Sequence, residues 1–138
     1  MLYHFGSREA LLVRVVQTVG ERIAANIDVE VRSTGSPQPV AVLWAGITSE
    51  PQLLRAYFAL VGGSAESAEV AIALRDLKDT YVRLIARRLH GEATGDAAPI
   101  VSLIALALLR GLLLEWIETG DGPVIDAGLA ELAALTDS

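Results

Sequence analysis

Hydrophobic positions along this chain recur at helical spacing almost throughout, and no stretch alternates with the period of two expected of a strand. From residue 8 to about 31, Leu11, Leu12, Val15, Val16, Val19, Ile23 and Ile27 form one apolar stripe. Arg14, Glu21, Arg22 and Asp28 fall mostly off it, which predicts a long amphipathic helix. Ser7 is placed to cap it, with Glu9 in its first turn. The polar run Arg32-Ser33-Thr34-Gly35-Ser36-Pro37 predicts a loop. A short helix over about 39–48 carries Val40, Leu43, Trp44 and Ile47. Another restarts at Pro51, with Ser49 as its expected cap, and carries Leu53, Leu54, Tyr57, Phe58 and Val61 up to Gly62-Gly63-Ser64.

A second long helix is predicted over about 66–89, with Val70, Leu74, Leu77, Tyr81, Leu84, Ile85 and Leu89 inward. Arg75, Asp76, Lys78, Asp79, Arg83, Arg87 and Arg88 are expected outward. The Gly/Thr/Asp/Ala run that follows is a connection, and Asp96 can cap what comes next. Residues 97–119, APIVSLIALALLRGLLLEWIET after the first alanine, are apolar nearly all round. Such a helix either spans a bilayer or is covered on several sides. Arg110 and Glu115 lie inside it, and an arginine near the middle of a span is costly, so a covered helix of a soluble protein is expected. After the turn Gly120-Asp121-Gly122-Pro123, a last helix over about 124–135 carries Ile125, Leu129, Leu132 and Leu135. The fold class expected is an all-α helical bundle.

The beginning of the chain, LYHFGSREALL, changes the picture. A hydrophobic staple, Phe5 folding onto Leu11 or Leu12, accounts for part of it. The order aromatic, His, Phe, Gly, Ser, basic, Glu and Leu also resembles the junction motif of TetR-type transcriptional regulators. There the recognition helix ends in an aromatic-His-Phe run, and a Gly-Ser turn opens the fourth helix. The resemblance implies that residues 1–7 are the end of a DNA-binding domain. Residues 8–138 then form the ligand-binding and dimerisation domain. Tyr3, His4 and Arg8 correspond to phosphate contacts, which position a protein on DNA without reading its sequence. The family places roughly forty residues before this motif, and bases are read by the N-terminal part of the second helix of that unit. Sequence-specific DNA binding by residues 1–138 as written is therefore not expected. Operator DNA is a partner only of a chain that carries those helices. A late-placed start or fragment, a short dimer-forming antagonist, and a small helical lipid-binding protein or enzyme remain as alternatives.

Composition narrows the chemistry. The chain has 138 residues and no cysteine, so disulfides and thiolate metal sites are excluded. A net charge of −6 argues against a nucleic-acid-binding surface over most of it. No basic-then-apolar export signal opens the sequence, and a cytoplasmic location is expected. Hydrophobic content of 52% is high for so small a monomer and hints at a subunit interface. The two histidines, His4 and His90, lack ligand spacing, so no metal is expected. Gly62-Gly63-Ser64 has no strand before it to make it a phosphate loop. Glu66 and Glu69 are better read as helix-start charges than as an acid/base pair. No cofactor is implied, and no enzyme activity is expected.

Two sites are expected instead. Trp44, Tyr57, Phe58 and Tyr81 sit on three helices and are candidates to line a pocket for a small apolar or aromatic effector. Arg55 and Glu115 are its candidate polar anchors. TetR-type proteins bind effectors within this bundle, which favours a pocket over plain core packing for these rings. The resemblance also makes the helix over 97–119 and the last helix a dimerisation pair, giving a homodimer through a four-helix interface. Ala107 and Gly111 offer a small-residue face, flanked by Leu103, Ile104, Leu108 and Leu112, with Leu129 and Leu132 from the last helix. Arg110 is expected at the rim or bonded to a carboxylate, the partner chain's included.

Overall fold

Six α-helices follow one another with short connections in a computed structural model that describes residues 7–34, 38–90 and 98–136. They are α1 (Arg8–Thr34), α2 (Pro39–Thr48), α3 (Pro51–Gly63), α4 (Ala68–His90), α5 (Ala98–Thr119) and α6 (Gly122–Thr136), with a 3-10 turn Ser64–Glu66 between α3 and α4. No strand occurs among the described residues, so the protein is an all-α helical bundle. Tyr3, His4, the Phe5 staple and Asp96 lie outside them, as does the side chain of His90.

The helix ends follow local chemistry. Ser7 Oγ accepts from Ala10 N–H at 3.0 Å and starts α1. Gln38 Oε1 accepts from Val40 N–H in front of Pro39. Ser67 Oγ accepts from Val70 N–H at 3.3 Å, so α4 begins two residues after the expected Glu66. Ser49 does not cap α3. Its hydroxyl donates back to the Gly46 carbonyl at 2.8 Å and closes α2, leaving Glu50 at the cap position of a helix with Pro51 in its first turn. Gly120, at φ 65°, ends α5 with its N–H on the Trp116 carbonyl at 2.9 Å, a left-handed cap that glycine adopts without strain. Asp121 Oδ1 then accepts from Val124 N–H at 3.2 Å and starts α6.

Neighbouring helices close a circuit: α1 lies on α2 and α4, α4 on α5, α5 on α6, and α6 on α2. α3 packs across α1, α2 and α4. Inside lies one core of Val19, Ile23, Ile27, Val40, Leu43, Ile47, Leu54, Ile85, Leu106, Leu109, Leu113 and Leu132. A satellite of Val16, Val70 and Leu74 joins the N-terminal halves of α1 and α4. Val15 was expected on the inner stripe, but it is 36% exposed, because α4 covers the Val16–Val19 side of the helix. At the α2–α3 junction Glu50 Oε1 accepts from Arg22 Nε and Asn26 Nδ2, both at 2.9 Å, tying α1 to the turn. Those two bonds, Asn26 foremost, hold the Glu50 carboxyl below its ordinary range.

Candidate effector chamber

Five helices converge on a small chamber of about 60 Å³. Ile23 of α1, Ile47 of α2, Leu54 of α3, Leu77 of α4, and Leu106 and Leu113 of α5 give it apolar walls. Tyr57, Tyr81, Lys78 and Arg110 supply its polar groups. The Arg110 guanidinium stands 5.6 Å from the Tyr57 ring centroid, a cation–π geometry. Its Nε is buried without a hydrogen-bond partner among the described residues. Tyr81 donates its hydroxyl to the Gly20 carbonyl at 3.0 Å, fixing the ring between α1 and α4. Among the described residues no carboxylate lines the chamber, although the chain carries 17 acidic residues.

Leu77 and Tyr81 also line a second, open space of about 640 Å³, a groove between α1 and α4. Its floor is apolar, with Val13, Val16, Ala24, Ala73 and Leu84, and Glu21, Glu69 and Asp76 stand along it. Ile72, which belongs to the same groove, is 53% exposed.

The structure therefore brings two of the expected pocket residues together, Tyr57 and Tyr81, and separates the rest. Phe58 packs edge-on against Tyr57, ring centroids 5.2 Å apart, and buttresses that ring without lining the chamber. Trp44 is half-buried and meets Trp116 edge-to-face at 6.1 Å, outside the chamber. Arg55 and Glu115 are exposed, because one falls on the solvent side of α3 and the other on the outward face of α5. Arg110 faces the chamber over the Tyr57 ring, and its Nε has no carboxylate partner among the described residues. Lys78, expected outward, is half-buried in the chamber wall. Its position one residue after Leu77 gave no hint of this. Arg110 had a usable signal, as the lone cation in a 22-residue apolar helix.

The α5 residues divide in the same way. Leu103, Ile104, Ala107, Leu108 and Gly111 are all exposed and share one outward face with Ile100 and Leu114. Leu112, Leu129 and Leu132 do not belong to that face. Leu132 is 4% exposed inside the core, Leu129 packs on it, and Leu112 lies over Gly128 of α6. Ser102, Ala105, Leu106, Leu109 and Leu113 are the buried side of the helix. By length and composition alone Ile100–Thr119 is long and apolar enough to cross a membrane, with 28% of its most apolar 18 residues buried in the bundle. No cluster of metal-binding side chains occurs among the described residues.

Two expected outcomes follow from these contacts. Burial raises the Tyr57 phenol above its ordinary value of 10.0 against the opposing pull of Arg110, and burial and then Tyr57 raise Tyr81. With both folded-state values above the unfolded one, the unfolded chain loses protons first as pH rises. This contribution to stability is whole below about pH 10 and is lost as pH climbs through the folded-state values. Urea midpoints should fall above pH 10, and the fall should flatten in Tyr57→Phe/Tyr81→Phe. Separately, Trp44→Ala and Trp116→Ala should each cost about 2–3 kcal/mol of stability, below the range for fully buried rings. The double variant should cost about 1 kcal/mol less than the sum, measured as an unfolding cycle.

No protein family, curated protein or solved structure matches this chain.

Proposed function

We propose that this protein is the effector-binding and dimerisation part of a transcriptional regulator of the TetR type, working as a cytoplasmic homodimer. The observation that carries the reading is the two-sidedness of α5: Arg110 faces the chamber, while Leu103, Ile104, Ala107, Leu108 and Gly111 on the same helix face outward. A ligand that moves Arg110 therefore acts on the helix that holds the second copy, and differential affinity for two subunit arrangements is all a switch requires. The LYHFGSREALL motif supports the family, and the all-α architecture agrees with it. Base recognition in such regulators belongs to helices that precede this motif, and none is assigned to residues 1–138.

The second copy is preferred to a bilayer as the cover for α5 for two reasons. Arg110 lies in the middle of the apolar stretch, and the buried side of the helix packs on α4 and α6. Gly111 costs an exposed helix about 1 kcal/mol relative to alanine, and no side chain of its own chain lies within 4 Å of its Cβ position. A close helix crossing about the Ala107–Gly111 face accounts for that glycine.

Sedimentation equilibrium at micromolar concentration, repeated with saturating small aromatic and aliphatic compounds, tests the reading. A dimer whose dissociation constant shifts with a bound compound is expected. A monomer, or a dimer indifferent to every compound that binds, overturns it.

A further inference from the structure

We infer that the ligand is a monocarboxylic acid with an apolar tail, its carboxylate held by Arg110 in the inner chamber and its tail lying in the α1–α4 groove. The inference rests on taking the Tyr57–Tyr81–Arg110 chamber as the effector site. Two cationic side chains, Arg110 and Lys78, line a space with no acidic residue among the described ones, in a protein of net charge −6. A partly buried cation without a counter-charge is costly, and a ligand anion removes that cost. Arg110 Nε is buried and unpartnered, and a guanidinium presents Nε and a terminal nitrogen as a fork that matches the two oxygens of a carboxylate.

The volumes set the rest of the molecule. At about 60 Å³ the chamber suits a compact polar head group. Leu77 and Tyr81 form the wall between the chamber and the groove of about 640 Å³, and both meet Gly20 of α1, so a chain leaving the head group enters the groove as the Leu77 side chain turns aside. That groove has an apolar floor and an acidic edge of Glu21, Glu69 and Asp76. The edge repels a second carboxylate, which makes a monoacid the better fit than a diacid.

Isothermal titration of the full chain with sodium octanoate, octanamide and butyrate tests this. Octanoate is expected to bind at least tenfold more tightly than octanamide, and more tightly than butyrate. Arg110→Met should abolish the preference over octanamide while leaving octanamide binding within about threefold, and Arg110→Lys should keep part of it. Ala73→Trp, which fills the groove, should weaken octanoate and spare butyrate. Equal binding of acid and amide by the native protein overturns the inference without needing any variant to fold. So does a preference that survives Arg110→Met, or no octanoate binding. An acid preference without any effect on dimerisation leaves the acid site standing and removes the regulator reading. Neutral ligands that bind and shift the dimer do the reverse.

Discussion

Gly46→Ala should destabilise the protein by about 1–2 kcal/mol, although alanine is the better helix former. Gly46 is buried in α2 where that helix crosses α1, and a Cβ there would lie 2.6 Å from Ile27 Cα and 2.9 Å from Ile27 N. Those are backbone atoms of a residue that is itself 0% exposed, so they cannot turn aside as a side-chain tip would. Overpacking of this kind costs about 1–3 kcal/mol, occasionally more, and only about 1 kcal/mol is returned by helix propensity. Gly62→Ala on α3 is the control. Nothing lies within 4 Å of its Cβ position, so the propensity gain stands alone and stability should rise by about 0.5–1 kcal/mol. Opposite signs for the same substitution, read by urea unfolding, confirm the α1–α2 contact, and a gain at both positions refutes it. Gly46→Leu should yield no cooperatively folded protein.

What could be read from the sequence divides according to the range of the forces involved. The first turn of α1 and the α5–α6 turn are set by short-range chemistry, Ser7 on Ala10 and Asp121 on Val124, and their positions were legible. α1 was legible as well, since its stripe from Val16 to Ile27 has a polar complement. α5 was not. Its apolar residues surround the axis, so periodicity could not separate the core side from the outward side, and Leu132, expected at an interface, lies in the core with Leu129 packed on it and Leu112 over α6. The site was half legible for a related reason. Tyr57 and Tyr81 stand on inward stripes, whereas Lys78 and Arg110 reach the chamber only because five helices meet there. Trp44 was misplaced because its partner, Trp116, is 72 residues away in sequence and nothing local marks the pairing.

On the proposed pairing of two copies through α5, Leu108→Glu should convert the dimer to monomers. Leu108 is 43% exposed at the centre of the outward face of α5, among Ile104, Ala107 and Gly111, with no charged side chain on that face before Glu115. In a twofold interface one substitution places two carboxylates in the seam, both desolvated and near each other. A penalty of about 3 kcal/mol or more raises the dissociation constant by about a hundredfold or more. The side chain does not belong to the chain's own core, so far-ultraviolet circular dichroism and the unfolding slope of the monomer should be those of the native chain. Leu132→Glu separates the two faces of the argument. It lies 4% exposed inside the bundle, and the same charge there should unfold the subunit itself. A dimer mass unchanged by Leu108→Glu would show that subunits meet elsewhere. A native protein that needs detergent to stay dispersed, and loses that need on Leu108→Glu, would assign the outward face of α5 to lipid.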